Sequence, residues 1–152
     1  MLQVLCPPDS SAQRQTRMEA AATFTTRHFT PTGVSPVPHI ATALPVSIST
    51  MEKAYSGEIT GISSTVFSAA FDPSTRVGSY VALESFEGTV NGKQGTFNFI
   101  HSASTTGSNR ADEFFSIVAG SGTGALQGIS GTGGIEVDAE GVHRIWLDYQ
   151  IG

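Results

Sequence analysis

Hydrophobic and polar positions along the chain alternate in short runs, and no stretch of about 12 residues sustains a helical period. ATFTTRHFT at 22–30 reads as a first strand. PTGVSPVPHIATA at 31–43 holds three prolines and reads as a loop, long enough to serve as a lid or mouth segment. LPVSISTMEKAYSGEITG and SSTVFSAAFD follow as two strand candidates, broken near Gly61. DPSTRVG is a turn opened by Asp72 and Pro73. STTGSNRADE is a further loop, FFSIVAG and GGIEVD are strands, and HRIWLDYQI ends the pattern. Seven or eight strands with turn signals between them predict an all-β domain, a sandwich or a barrel. Little in the sequence protects long free edges, and closure removes edges, which favours a single antiparallel closed β-barrel of about eight strands.

The sharpest local signal is SYVALESFEGTVNGKQGTFNFIHS at 79–102. Asn91-Gly92 sits between two alternating runs and suits a two-residue type I′ turn, in which both positions need φ > 0. That turn sets Val90 opposite Lys93, Phe86 opposite Phe97, Glu84 opposite Phe99 and Ala82 opposite His101. Opposite residues project from the same side of a sheet. One face therefore carries Tyr80, Ala82, Glu84, Phe86, Phe97, Phe99 and His101; the other carries Val81, Leu83, Ser85, Glu87, Thr96, Asn98 and Ile100.

Composition agrees with strands. Charged residues make up 14% of the chain and aromatics 9%, with nine Phe, and few charges among many Phe, Val, Ile and Thr suit sheets. The net charge of −5 with no basic cluster speaks against nucleic-acid binding. No apolar run is long enough to cross a membrane, and the start lacks the pattern of a signal peptide, so a cytoplasmic location is expected. Residues 1–18 read as a disordered leader and 19–152 as one domain, with Met18 an alternative start. Cys6, the only cysteine, falls in that leader and is given no catalytic role.

GSGTGALQGISGTGGIEV at 120–137 raises the question of a phosphate-binding loop. It contains no Lys, so it is not a G-x-x-x-x-G-K-[ST] loop; Gln127 stands where a dinucleotide fingerprint needs its third Gly. These glycines read instead as bends and close approaches that let a small barrel curl.

The mixed face of the hairpin is the candidate site. Aromatic surface with one carboxylate and one imidazole describes a small-molecule pocket. Glu84 and His101 are diagonal neighbours on it, within reach as a proton donor and acceptor, with Tyr80 as a hydrogen-bond donor. Phe86, Phe97 and Phe99 would contact substrate, joined by Tyr55 from YSGE and Trp146 from the last strand. A turn or rim role suits Tyr55 and Glu58 equally well. On the last strand Trp146, Asp148 and Gln150 share one face and Leu147, Tyr149 and Ile151 the other; Asp148 needs a partner if buried. The plainer reading of Glu84 and His101 is an exposed carboxylate and a hydrogen-bonded imidazole beside an ordinary core. His28, His39, His101 and His143 show no metal-ligand spacing, so neither a metal nor a cofactor is expected.

AYSGEITGISST, the hairpin, GSGTGALQGISGTGGIEV and HRIWLDYQIG occur in the order of a bacterial family of unknown function with the allene oxide cyclase-like β-barrel fold. The chain resembles that family over 52–152, and more weakly over 22–51, through Y-S-G-[DE], E-x-F-x-G-T, G-x-x-G-T-F, S-G-T-G-x-L-x-G and L-D-Y. Residues 1–17 lie outside the pattern. The resemblance implies an eight-stranded antiparallel barrel with a central cavity. Plant allene oxide cyclases bind an unstable fatty-acid epoxide and steer its ring closure. Their site does not carry over residue by residue, because the matching positions are frame glycines and aromatics. Barrels of this kind often form dimers or trimers, so a homo-oligomer is also implied.

Three functions fit these residues. The first is a cofactor-free isomerase or cyclase acting on a small hydrophobic molecule in the barrel. The second is a non-catalytic carrier or sensor of such molecules. The third is a structural, oligomeric barrel filled with its own side chains.

Overall fold

The computed structural model describes residues 16–152; the leader expected at 1–18 and Cys6 lie largely outside them. Eight strands form one antiparallel sheet: β1 (Met18–Pro31), β2 (Val46–Gly57), β3 (Ile59–Asp72), β4 (Val77–Val90), β5 (Lys93–Thr106), β6 (Arg110–Ile117), β7 (Ile129–Val137) and β8 (His143–Ile151). The sheet order is β6-β5-β4-β3-β2-β1-β8-β7. It curls into a nearly closed barrel, with β6 and β7 facing each other across a seam that lacks a backbone ladder. Thr132 of β7 bridges that seam by donating to the Phe115 carbonyl of β6 at 2.8 Å. One 3-10 turn, Gly124–Leu126, is the sole helical element among the described residues.

The β4–β5 hairpin has the expected register, from Val90↔Lys93 to Ala82↔His101. Asn91 and Gly92 both take positive φ, at 48° and 80°. Asn91 also ties this turn to the rest of the barrel, donating to the Glu19 carbonyl at 3.0 Å and the Tyr149 hydroxyl at 2.8 Å. Asp72 opens the β3–β4 turn by accepting from the Ser74 amide at 2.9 Å.

Several boundaries differ from the sequence reading. The first strand starts at Met18 rather than 22, because Ala20, Ala22 and Phe24 alternate into the core. The break between β2 and β3 falls at Glu58, not Gly61. Glu58 caps that turn through its carboxylate, which accepts from the Ala21 amide at 2.8 Å, while Gly61 lies within β3, paired with Gly88. Arg110 begins β6 inside the segment expected as a loop, and β7 begins at Ile129.

The glycine-rich stretch is barrel punctuation. Residues 118–128 fold across one end, and Leu126 of the 3-10 turn enters the core there. The turn needs close approach: a Cβ on Gly122 would lie 2.1 Å from the Leu126 carbonyl oxygen. At this end Ile59, Phe86, Val90, Phe97, Leu126 and Ile129 fill the interior. The opposite end, where β1 meets β2 and β3 meets β4, is open.

Candidate functional site

Alternation along each strand decides what faces inward. On β4 and β5 the buried side chains are Ala82, Glu84, Phe86, Val90, Phe97, Phe99, His101 and Ala103. The face expected to carry the site is thus the interior of the barrel. β2 adds Ser49, Lys53 and Tyr55 to the same interior, and β3 adds Ser63 and Thr65.

Glu84 lies at the centre of a buried polar cluster, with no exposed surface. Its Oε2 accepts from the Lys53 ammonium at 2.6 Å and from His101 Nε2 in a short hydrogen bond. Its Oε1 accepts from the Ser63 hydroxyl at 2.6 Å and from the Tyr55 hydroxyl at 3.0 Å. The cluster then runs outward. His101 Nδ1 lies 2.9 Å from the Tyr80 hydroxyl, which accepts from Arg110 Nη2 at 3.0 Å. Arg110 Nε donates to Glu113 at 2.8 Å. A continuous hydrogen-bonded chain therefore links Glu113 and Arg110, at the rim, to Tyr80, His101 and Glu84 inside.

The partners fix the protons. A guanidinium only donates, so the Tyr80 oxygen accepts from Arg110 and turns its own proton toward Nδ1. The ring proton of neutral His101 then sits on Nε2, facing the carboxylate. Burial lowers the affinity of His101 for a second proton; the hydrogen bond to Glu84 opposes this, and the charges of Lys53 and Arg110 add to it. Burial also disfavours charge on Glu84, but the His101 hydrogen bond and the Lys53 ammonium outweigh it and hold the carboxyl at about 2. Lys53 is lowered by burial, which Glu84 only partly offsets. Tyr55 is pushed up by burial and by the Glu84 charge, and stays a phenol. Burial raises Tyr80 as well, against the opposing pull of Arg110. At neutral pH the cluster holds a carboxylate, an ammonium, a neutral imidazole and two phenols.

Above this cluster opens a cavity of about 580 Å³, within the size range of small-molecule sites. Its wall is mostly apolar: Phe24, Phe29, Met51, Phe67, Phe71 and Ile135 line it. Phe67 and Tyr80 stack with ring centroids 4.9 Å apart. The ionisable residues that line it are Lys53, Tyr80, His101, Arg110 and His143, with hydroxyl residues Thr26, Ser47, Ser79 and Thr105 beside them. Phe24 is held between two of them, with the Lys53 nitrogen 4.8 Å and the His143 ring 5.2 Å from its centroid.

The structure brings Glu84, His101 and Tyr80 together as one hydrogen-bonded series, and Tyr55 joins it from below. Phe86, Phe97 and Phe99 pack beneath the cavity instead of lining it; they belong to the filled part of the barrel. Trp146 points the other way. On β8 Leu147 and Tyr149 are buried inside, so Trp146 stands on the outer face, 43% exposed, with its ring over Gly134. It does not line the cavity. Asp148, also on the outer face, pairs with Arg17 at 2.5 Å. The proline-containing loop does not cover the mouth: none of residues 32–45 lines the cavity, and nearly all are exposed.

Sequence reasoning missed Lys53 and Arg110. The signal for Lys53 was its spacing of two from Tyr55, which puts both on one face of β2. Arg110 had no signal, since its segment read as a loop. Among the described residues no group of three or more His, Cys, Asp or Glu comes together to hold a metal, and no helix is long and apolar enough to cross a membrane.

A family model described as protein of unknown function (DUF3224) matches residues 20–149. A crystal structure of a protein with unknown function from that family in Shewanella oneidensis MR-1 is similar in fold. Its TM-score is 0.76 at 22% identity, over 90% of this chain and 98% of that one. No curated protein matches the chain.

Proposed function

The chain belongs to the DUF3224 family, and we propose that its barrel binds a small apolar organic molecule and isomerises or cyclises it without a cofactor. One observation carries this reading: the apolar cavity is floored by the Tyr80–His101–Glu84 series. Tyr80 and His101 line the cavity wall, with Glu84 behind them, and the mobile proton starts on Tyr80. Passing its proton to His101 Nδ1 leaves a phenolate beside the Arg110 guanidinium and an imidazolium against the Glu84 carboxylate. The phenolate is then a base toward a bound molecule, and the reverse transfer makes Tyr80 an acid. The cavity wall holds a flexible substrate in one shape, a proximity effect. The same reading takes the barrel as allene oxide cyclase-like, on the order of its motifs and its hollow eight-stranded form.

A carrier of apolar ligands is the second reading. It is favoured by the four protein donors that already satisfy Glu84. Native mass spectrometry of protein purified from its source cells, followed by extraction, tests both. An organic molecule that the wild-type protein converts on incubation, and that His101→Ala does not, supports the enzyme. Recovery of the molecule unaltered from both supports the carrier. Protein that stays empty, and binds nothing from an extract of the same cells, sinks both readings.

A further inference from the structure

Lys53 and His143 are ionisable cavity residues that the proton-transfer reading leaves unused, and of the two Lys53 is the one bonded to Glu84. Its side chain is almost wholly buried, yet the residue lines the cavity. Glu84 is its only hydrogen-bond acceptor among the described residues, which leaves further N–H bonds free. A solvated surface lysine spends its donors on water; this one lies over the Phe24 ring in apolar surroundings. Beside it, at the level of Glu84, the Thr65 hydroxyl is buried and has no protein partner. An amine at the floor of an apolar cavity, paired with a carboxylate that can take and return a proton, is the arrangement that carbonyl chemistry needs.

We propose that Lys53 captures an apolar aldehyde or ketone as a protonated imine. The inference rests on the cavity being a binding site for small organic molecules, and it names the carbonyl as their reactive group. Glu84 takes one proton from the Lys53 ammonium, and the free amine adds to the carbonyl carbon. The adduct nitrogen passes a second proton to the oxygen, Glu84 returns the first, and the carbon–oxygen bond breaks to release water. Overall, an ammonium and a carbonyl give a protonated imine and one water; nothing is oxidised or reduced. The positive charge stays on the Lys53 nitrogen, so the ion pair with Glu84 survives the reaction. Burial, which makes this amine easier to free than an exposed one, assists the first step. The protonated imine draws electrons from the neighbouring carbon, and a proton leaving that carbon is within the chemistry assigned to Tyr80 and His101.

The chain has two lysines, Lys53 and the exposed Lys93, so each protein molecule contains its own control. Cinnamaldehyde with sodium cyanoborohydride, which reduces a protonated imine to a stable secondary amine, is added to the purified protein at neutral pH. Peptide mass spectrometry then locates the adduct. Binding of cinnamyl alcohol, of similar shape but without the carbonyl, is measured in parallel by saturation-transfer NMR. The expected result is an adduct on Lys53 that forms about tenfold or more faster than on Lys93, the gain from a held carbonyl. It is lost in Lys53→Arg, which keeps the cation beside Glu84, and is retained in Lys93→Arg. If the alcohol binds but Lys53 is labelled no faster than Lys93, the imine is overturned and the binding reading stands. If the alcohol does not bind and Lys53 stays unlabelled, both fall.

Discussion

Toward the Asn91–Gly92 end, the barrel is filled by Ile59, Phe86, Val90, Phe97, Leu126 and Ile129. Toward the other end the same strands carry Phe24, Phe29, Phe67, Phe71 and Tyr80 around a cavity. The residues named around the cavity are the more aromatic set, so a shortage of large side chains does not explain the difference. What differs is the connection that crosses each end. Residues 118–128 fold over the filled half and insert Leu126, whereas residues 32–45 leave the hollow half uncovered. The filled half supplies apolar burial, about 25 cal/mol per Å² of surface removed from water. It supports a buried ion pair that is weak evidence of stability by itself. The one buried side-chain polar atom without a partner among the described residues, the Thr65 hydroxyl, lies at the boundary between the halves, level with Glu84.

The sharpest way to break this comparison is at that boundary. Glu84→Ala strands the Lys53 ammonium in apolar surroundings and removes the acceptor of Tyr55, Ser63 and His101. A loss of about 3–5 kcal/mol is expected in urea unfolding. The double variant Lys53→Met with Glu84→Leu recovers only part of it, because His101 and one of the Tyr55 and Ser63 hydroxyls, which lie 2.9 Å apart, still lack an acceptor. Full recovery would mean that the cluster is an ion pair and nothing more.

The plug is tested next. Leu126→Ala removes the residue that crosses the filled end and should cost about 2–5 kcal/mol. Phe71→Ala, at the partly exposed rim of the cavity, should stay within about 0.5 kcal/mol. Equal costs would remove the distinction between a filled and a hollow half.

Acid should act on the boundary before the filled half. Glu84 ionises at about 2 in the fold, against 4.5 for an unperturbed carboxyl. The stability it contributes is complete above 4.5 and is lost as pH falls toward 2. His101 is also lowered from its ordinary 6.5. The unfolded chain therefore takes up its proton first, and stability begins to fall below about 6.5. Both groups act in the same direction. Urea midpoints measured from pH 7 to 3 should decline for the wild type. The Glu84→Ala protein should show a shallower decline over the lower part of that range.

The legible parts of this molecule are those fixed by local chemistry. Asn91-Gly92 sets one register, and from that register Tyr80, Glu84 and His101 follow onto one face, which closure of the barrel turns inward. No comparable turn marks the β2–β3 connection. Its break was placed at Gly61, a glycine needed because Gly88 lies directly across the strand pair. With that register unset, Lys53 could not be paired with Ser63 or brought toward Glu84. On β8 both faces hold apolar residues, so alternation alone does not say whether Trp146 or Tyr149 turns inward. Closure of β8 against β1 decides it, and that contact is remote in sequence.

The smallest expected effect separates a proton relay from a merely satisfied cluster. Tyr80→Phe keeps the ring stacked on Phe67 and removes one hydroxyl, which costs about 1 kcal/mol of stability. Its informative readout is the titration of His101 by NMR. The Tyr80 hydroxyl donates to Nδ1 and thereby stabilises the neutral imidazole; without it, protonation at Nδ1 is easier and the His101 midpoint should rise. Arg110→Met tests the same link from outside. It removes the donor to the Tyr80 oxygen and a cation that disfavours protonated His101, so the midpoint should rise there too, with Tyr80 still in place. If His101 titrates as in the wild type in both variants, the hydroxyl proton does not lie between Tyr80 and His101. Tyr80 then has no proton path to Glu84.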